Sequence, residues 1–152
     1  MAGASPEIAI PKMPSSKVAI ITASWHPEVC DALVSGARRA CSLAEVTQVE
    51  IITVAGSFEL PLAAQFAFER GFDAAVVLGL VLRGETPHFD YVCQGVTSGV
   101  MDVQLKFSKP IGFGVLMCDS IEQARDRCGL SNSKEDKGFD AAIAAINLLQ
   151  VQ

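Results

Sequence analysis

The sequence has few of the residues that metal, redox or nucleic-acid chemistry would need. Lys and Arg number 12 against 17 Asp and Glu, giving a net charge of −5, and there is no basic run. Nucleic acid and anionic membranes are therefore not expected partners. The five cysteines, Cys30, Cys41, Cys93, Cys118 and Cys128, are scattered without a CxxC pair. Cysteines inside apolar periodic segments behave as small buried hydrophobes, and no secretory leader pattern is read, so the expected setting is a reducing cytoplasm. With only two histidines, no metal-ligand cluster is read, and no metal is expected. No apolar run reaches the roughly 18 residues of a membrane span, because the longest is broken by Asp73 and Arg83. Half the residues are nonetheless apolar, with a mean hydropathy of +0.35. That excess is read as surface hidden in subunit contacts. A chain of 152 residues fits one domain with a continuous core.

Residues 1–16, with Pro6, Pro11 and Pro14, read as an extended N-terminal arm, and 17–152 as a single domain. From Lys17 the pattern is regular. KVAIITAS predicts a strand, and Pro27 opens a helix with Val29, Leu33, Val34, Ala37 and Cys41 at helical spacing. A second strand is expected over 49–55 and a helix over 59–70, closed by Gly71 in left-handed conformation. DAAVVLGLVL is the third strand. A helix then opens at Pro87 with Thr86 as N-cap and YVCQGVTSGVMDVQLKF as its body. PIGFGVLMC is strand four. Asp119 or Ser120 caps a helix over 121–128 ended by Gly129, and a polar loop leads to a last helix over 137–149. Alternating strands and helices imply an α/β fold, a three-layer α/β/α sandwich on a four-stranded parallel sheet.

In such sheets ligands gather at the carboxyl ends of the strands. Strand one ends in Ser24-Trp25-His26, strand two in Gly56-Ser57-Phe58-Glu59, and strand three in the loop Arg83 to His88. These ends hold the single Trp and both His. Trp25 is either a boundary aromatic or a flat face for a planar ring. Glu59 either complements a helix dipole or accepts from substrate hydroxyls. His88 is either a solvated loop residue or a proton-transfer group working near neutrality. Gly84 and the backbone amides of Glu85 and Thr86 form a candidate anion site beside it, which suggests a small phosphorylated substrate. Arg127 has a reason to lie near a helix C-terminus, where a cation is favoured. Lys137 opens a helix, where it is not, unless Asp136 neutralises it. If both serve this site, a crossover to the opposite end of the sheet implies that they do so in a neighbouring subunit.

RGETPHFDYV at 83–92, GSFELP at 56–61, IEQARDRCG at 121–129 and EDKG at 135–138 resemble the lumazine synthase family, and the match runs from about Lys17 to the C-terminus. The resemblance implies a flavodoxin-like sheet. It also implies condensation of 5-amino-6-(D-ribitylamino)uracil with 3,4-dihydroxy-2-butanone 4-phosphate to 6,7-dimethyl-8-ribityllumazine, with loss of phosphate and two waters and no cofactor. Carried onto this chain, it places Trp25 on the pyrimidine, Ser57, Phe58 and Glu59 on the ribityl chain, and Val81 and Leu82 around the ring. Glu85 and Thr86 offer amides to the phosphate, and His88 is the acid/base group. Phe113, Arg127 on phosphate and Lys137 on a uracil carbonyl come from the adjacent subunit. Trp25-His26 stands where Phe-Asn is frequent, so His26 has no assigned role. The loop between Arg127 and Lys137 is longer than in many members that close into shells, which favours a homopentamer, alone or paired. Two other readings compete: a riboflavin synthase of similar fold, and a flavin- or lumazine-binding or scaffold module. A dinucleotide site is disfavoured, since Gly112 and Gly114 lie in a strand and no third glycine completes GxGxxG.

Overall fold

A computed structural model describes residues 6–151; the first five residues of the expected arm and Gln152 lie outside the described residues. The strands are β1 (Lys17–Ala23), β2 (Gln48–Val54), β3 (Ala74–Leu82) and β4 (Ile111–Cys118). They form one parallel sheet in the order β2-β1-β3-β4. The helices are α1 (Pro27–Leu43), α2 (Leu60–Glu69), α3 (His88–Phe107), α4 (Ile121–Arg125) and α5 (Lys137–Leu149). Successive strand residues face opposite sides, so β1 and β3 supply two cores at once. Val18, Ile20, Val76 and Leu78 pack with Leu33 of α1 and Ile146 of α5. Ala19, Ile21, Ala75 and Val77 pack with Leu60 of α2 and Val96 of α3. This is the three-layer flavodoxin-like sandwich. Because β1 is flanked by β2 and β3, the chain winds in opposite directions from it, and the switch point opens a crevice at the carboxyl ends of β1 and β3.

Small residues let the layers approach. A Cβ on Gly112 of β4 would lie 2.1 Å from the Ala141 carbonyl oxygen, and one on Gly138 would lie 2.1 Å from that of Leu33. Helix α5 therefore rests on both β4 and α1 by backbone contact. Helix α2 closes in a Schellman turn. Gly71 has φ 91°, with Gly71 N–H on the Phe68 carbonyl and Phe72 N–H on that of Ala67. Residues 6–16 contain no helix or strand and lie along their own domain. Met13 N–H reaches the Ala44 carbonyl at 2.8 Å, and the Ala9 carbonyl accepts from Asn147.

Three helix limits differ from the sequence expectation. Helix α2 is preceded by a 3₁₀ turn, Ser57–Glu59. Helix α3 has Pro87 as its N-cap, not its first residue, because the Pro87 carbonyl already accepts from Asp90 and Tyr91; Thr86 Oγ1 accepts from His88 N–H at 3.4 Å. Helix α4 is capped by Ser120 and stops at Arg125, not at residue 128. The returning loop takes the carbonyls that would extend it. Ser133 donates to the Arg125 carbonyl, and Lys134 and Glu135 N–H groups donate to that of Asp126. Gly129, with φ 82°, sits inside that loop instead of closing the helix.

Candidate active site

At the switch point lies a cleft of about 700 Å³, lined by Trp25, His26, Gly56, Ser57, Phe58, Glu59, Leu80, Val81, Leu82, Gly84, Thr86, His88, Phe89, Tyr91 and Val92. Each wall is set by its chain context. Trp25 leaves β1 with 66% of its surface exposed, its indole resting against Gly56, where an added Cβ would lie 3.5 Å from the ring. Glu59 Oε2 accepts from Gly56 N–H at 2.8 Å, so one carboxylate oxygen holds the loop that supports the tryptophan. The other oxygen retains acceptor capacity, as a carboxylate offers about four lone-pair directions. Ser57 is buried over Gly79, whose missing Cβ would come within 2.6 Å of its hydroxyl. Phe58 stays exposed, its ring fitting the space that a Cβ at Gly95 would fill at 2.9 Å.

The opposite wall belongs to β3 and α3. Val81 and Leu82 are half-buried at the end of β3, and His88 begins α3, exposed to the cleft. Tyr91, Val92 and Gly95 follow His88 at helical spacing and so share its face. Tyr91 and Val92 line the cleft, a role the sequence reading did not give them. The i, i+3, i+4 spacing from His88 is the signal that would have found them. The loop between is tied down by Arg83. Its Nε donates to Asp119 at 2.7 Å, its Nη1 reaches Asp90 at 3.4 Å, and its guanidinium lies 4.2 Å from the Phe89 ring centroid. Hydrogen bonding to Asp119 raises the Arg83 pKa further above the ordinary arginine value. Arg83 thus joins the ends of β3 and β4 to the start of α3.

Four expected site residues do not line this cleft. Glu85 is in the same loop but outside the lining. Phe113, 40% exposed, stands on edge strand β4. Arg127 donates to the Gln123 carbonyl at 2.7 Å, the helix-end contact a cation favours. Lys137 is neutralised by Glu135 at 3.2 Å and Asp140 at 3.3 Å. Asp136 instead caps α5 through Phe139 N–H and pairs with Arg39. Partial burial works to lower the Lys137 pKa, but hydrogen bonds to the two carboxylates outweigh it and hold the ammonium above the usual lysine value. Lys137 N–H donates to the Arg127 carbonyl at 2.9 Å, so the two cationic residues are joined in one unit away from their own cleft. Among the described residues, no lysine or arginine lines the cleft.

The family model for 6,7-dimethyl-8-ribityllumazine synthase matches residues 15–152. The chain belongs to the lumazine synthase family. It is 49% identical over 142 residues to the 6,7-dimethyl-8-ribityllumazine synthase of Streptomyces coelicolor, covering 93% of this chain and 88% of the relative. It is 53% identical over 130 residues to the enzyme of the same name from Paenarthrobacter aurescens, covering 86% and 80%. It is 52% identical over 130 residues to that of Pseudarthrobacter chlorophenolicus, again covering 86% and 80%. The matched region contains every strand and helix of the fold, including the full lining of the cleft and the Arg127–Lys137 unit.

Proposed function

We propose that this lumazine synthase family member is a transferase that condenses 5-amino-6-(D-ribitylamino)uracil with 3,4-dihydroxy-2-butanone 4-phosphate to 6,7-dimethyl-8-ribityllumazine, a step of riboflavin biosynthesis. The observation that carries this reading is a single cleft combining the flat face of Trp25, the imidazole of His88 and a helix start. A planar heterocycle stacks on the indole between Val81 and Leu82, and the ribityl chain extends toward Ser57, Phe58 and Glu59. The phosphate lies by the amides of Glu85 and Thr86, where unpaired N–H groups favour an anion. The amine adds to the ketone and loses water, phosphate departs by elimination, and the second amine closes the ring with loss of a second water. Every step moves a proton, and His88 is the acid/base group. Holding both substrates in one cleft supplies further acceleration.

Among the described residues, no lysine or arginine of the cleft lining supplies the cation that a departing phosphate calls for. Arg127 of a neighbouring subunit meets the phosphate, with Lys137 and Phe113 of that subunit completing the ring pocket. The α2, α3 and β4 surface supports assembly: Leu62, Phe66, Met101, Leu105, Phe113 and Met117 are all exposed on it, and clustered exposed apolar side chains mark interaction surfaces. The assembly is a homopentamer, alone or paired, in the cytoplasm. Residues 6–16 belong to an arm on a single catalytic domain that begins at Lys17. Mixed subunits test the reading. His88→Ala alone should lose about a hundredfold or more in kcat, and Arg127→Ala should mainly raise KM for the phosphorylated substrate. Co-assembly of the two variants should restore part of the activity, because some clefts then have both groups intact. No restoration in verified mixed assemblies would refute the shared site.

A further inference from the structure

The chain has two histidines, and both line the same cleft, from different strand ends. The proposed reaction assigns a role to His88 alone. His26 sits between β1 and α1 with φ 54° and ψ 64°, in the left-handed region. Few residues other than glycine enter that region, although histidine does so more readily than most, and non-glycine residues held there cluster at ligand sites. The usual reward for a residue at a helix N-cap is a side-chain bond to the first turn. His26 makes none. Its carbonyl accepts from Val29 and Cys30, both at 3.0 Å, which fixes the backbone. Its ring lies beside Trp25, with centroids 6.3 Å apart and planes inclined by 48°. The imidazole has no hydrogen-bond partner among the described residues. A left-handed backbone, fixed by two hydrogen bonds to its carbonyl, thus holds an unpaired polar ring at the edge of the surface where the heterocycle stacks.

We propose that His26 is a substrate-contacting residue. In this inference, which rests on the reading above, a nitrogen of its imidazole hydrogen-bonds the ribitylaminouracil substrate, and the lumazine formed from it, beside the Trp25 face. It contributes to recognition of the ring-bearing substrate and not of the phosphorylated one.

Two variants separate this from a structural role. His26→Gly keeps the left-handed backbone without strain and removes the ring. His26→Phe keeps a flat ring beside Trp25 and removes the nitrogens. Each is titrated with 6,7-dimethyl-8-ribityllumazine and assayed for KM with both substrates, after assembly and melting temperature are checked against the parent protein. Both variants should weaken lumazine binding and raise KM for the uracil substrate about three- to tenfold, the effect of one hydrogen bond. KM for the phosphorylated substrate should stay within twofold. A His26→Phe protein that binds lumazine like the parent would overturn the proposal, as would equal losses for both substrates. A parent protein that binds lumazine without turnover would instead refute the catalytic reading, while the ratio of variant to parent affinity would still report on His26. A parent that binds no lumazine overturns both.

Discussion

Removing the indole of Trp25 should weaken binding of the ring-bearing ligand by an amount that follows from its exposure. A tryptophan side chain offers roughly 200 Å² for burial, and 66% of Trp25 is open. A heterocycle lying on one face covers about half of that, some 65 Å² by this estimate, worth about 1.6 kcal/mol at roughly 25 cal/mol per Å². Stacking geometry adds about 0.5–1.5 kcal/mol beyond area. The expected loss for Trp25→Ala is therefore about 2–3 kcal/mol, or roughly 30- to 150-fold in affinity. Trp25→Phe should recover most of it, since a smaller face still stacks. Calorimetric titration with 6,7-dimethyl-8-ribityllumazine measures all three proteins. Because Trp25 is the only tryptophan in the chain, quenching of the parent protein's emission gives an independent reading. Affinity in Trp25→Ala within twofold of the parent would refute the stacking argument. So would unchanged emission at saturating ligand.

Two further predictions concern the scaffold. Gly138→Ala places a Cβ 2.1 Å from the Leu33 carbonyl oxygen and 2.7 Å from its Cα, where backbone meets backbone and no side chain can yield. It should cost about 1–3 kcal/mol, seen as a lower denaturant midpoint at fixed protein concentration, and an unchanged midpoint would contradict the close α1–α5 contact. Burial raises the thiol pKa values of Cys30 and Cys41 from 9.0 to about 11. The folded protein then binds protons more tightly than the unfolded chain, so this contribution is full below pH 9 and is lost as pH rises through about 11. Melting temperature should fall across that window, and less steeply in a Cys30→Ala, Cys41→Ala double variant. An equal slope in parent and variant would show that the thiols are not responsible.

The layers of this fold were legible because β1 and β3 are buried on both faces and so read as unbroken apolar runs, KVAIITA and AAVVLGLVL. The coming together of Trp25, the Ser57–Glu59 turn and His88 followed from the same logic, since parallel strands deliver their ends to one edge. What local sequence hid was longer-range competition for hydrogen bonds. The periodic pattern through Cys128 favours continuing α4, but residues 133–135 return to claim the carbonyls of Arg125 and Asp126. Asp136 was the nearest candidate to neutralise Lys137, yet Arg39, distant in sequence, pairs with it, and Glu135 and Asp140 serve Lys137 instead. Glu59 offered two readings, as a helix-start acid and as a ligand for hydroxyls, and its bond to Gly56 adds a third task, bracing the loop beneath Trp25. The clamp made by Arg83 was invisible for a similar reason, because one of its partners, Asp119, is distant in sequence and arrives just past the end of the neighbouring strand β4.

The most direct test of the central claim follows phosphate release and lumazine absorbance together in one reaction, with each proposed substrate omitted in turn. Both signals should appear at equal rates, only when both substrates are present, and both should collapse in His88→Ala. Binding of lumazine or flavin with neither signal would contradict it and make this chain a binding module built on the same fold.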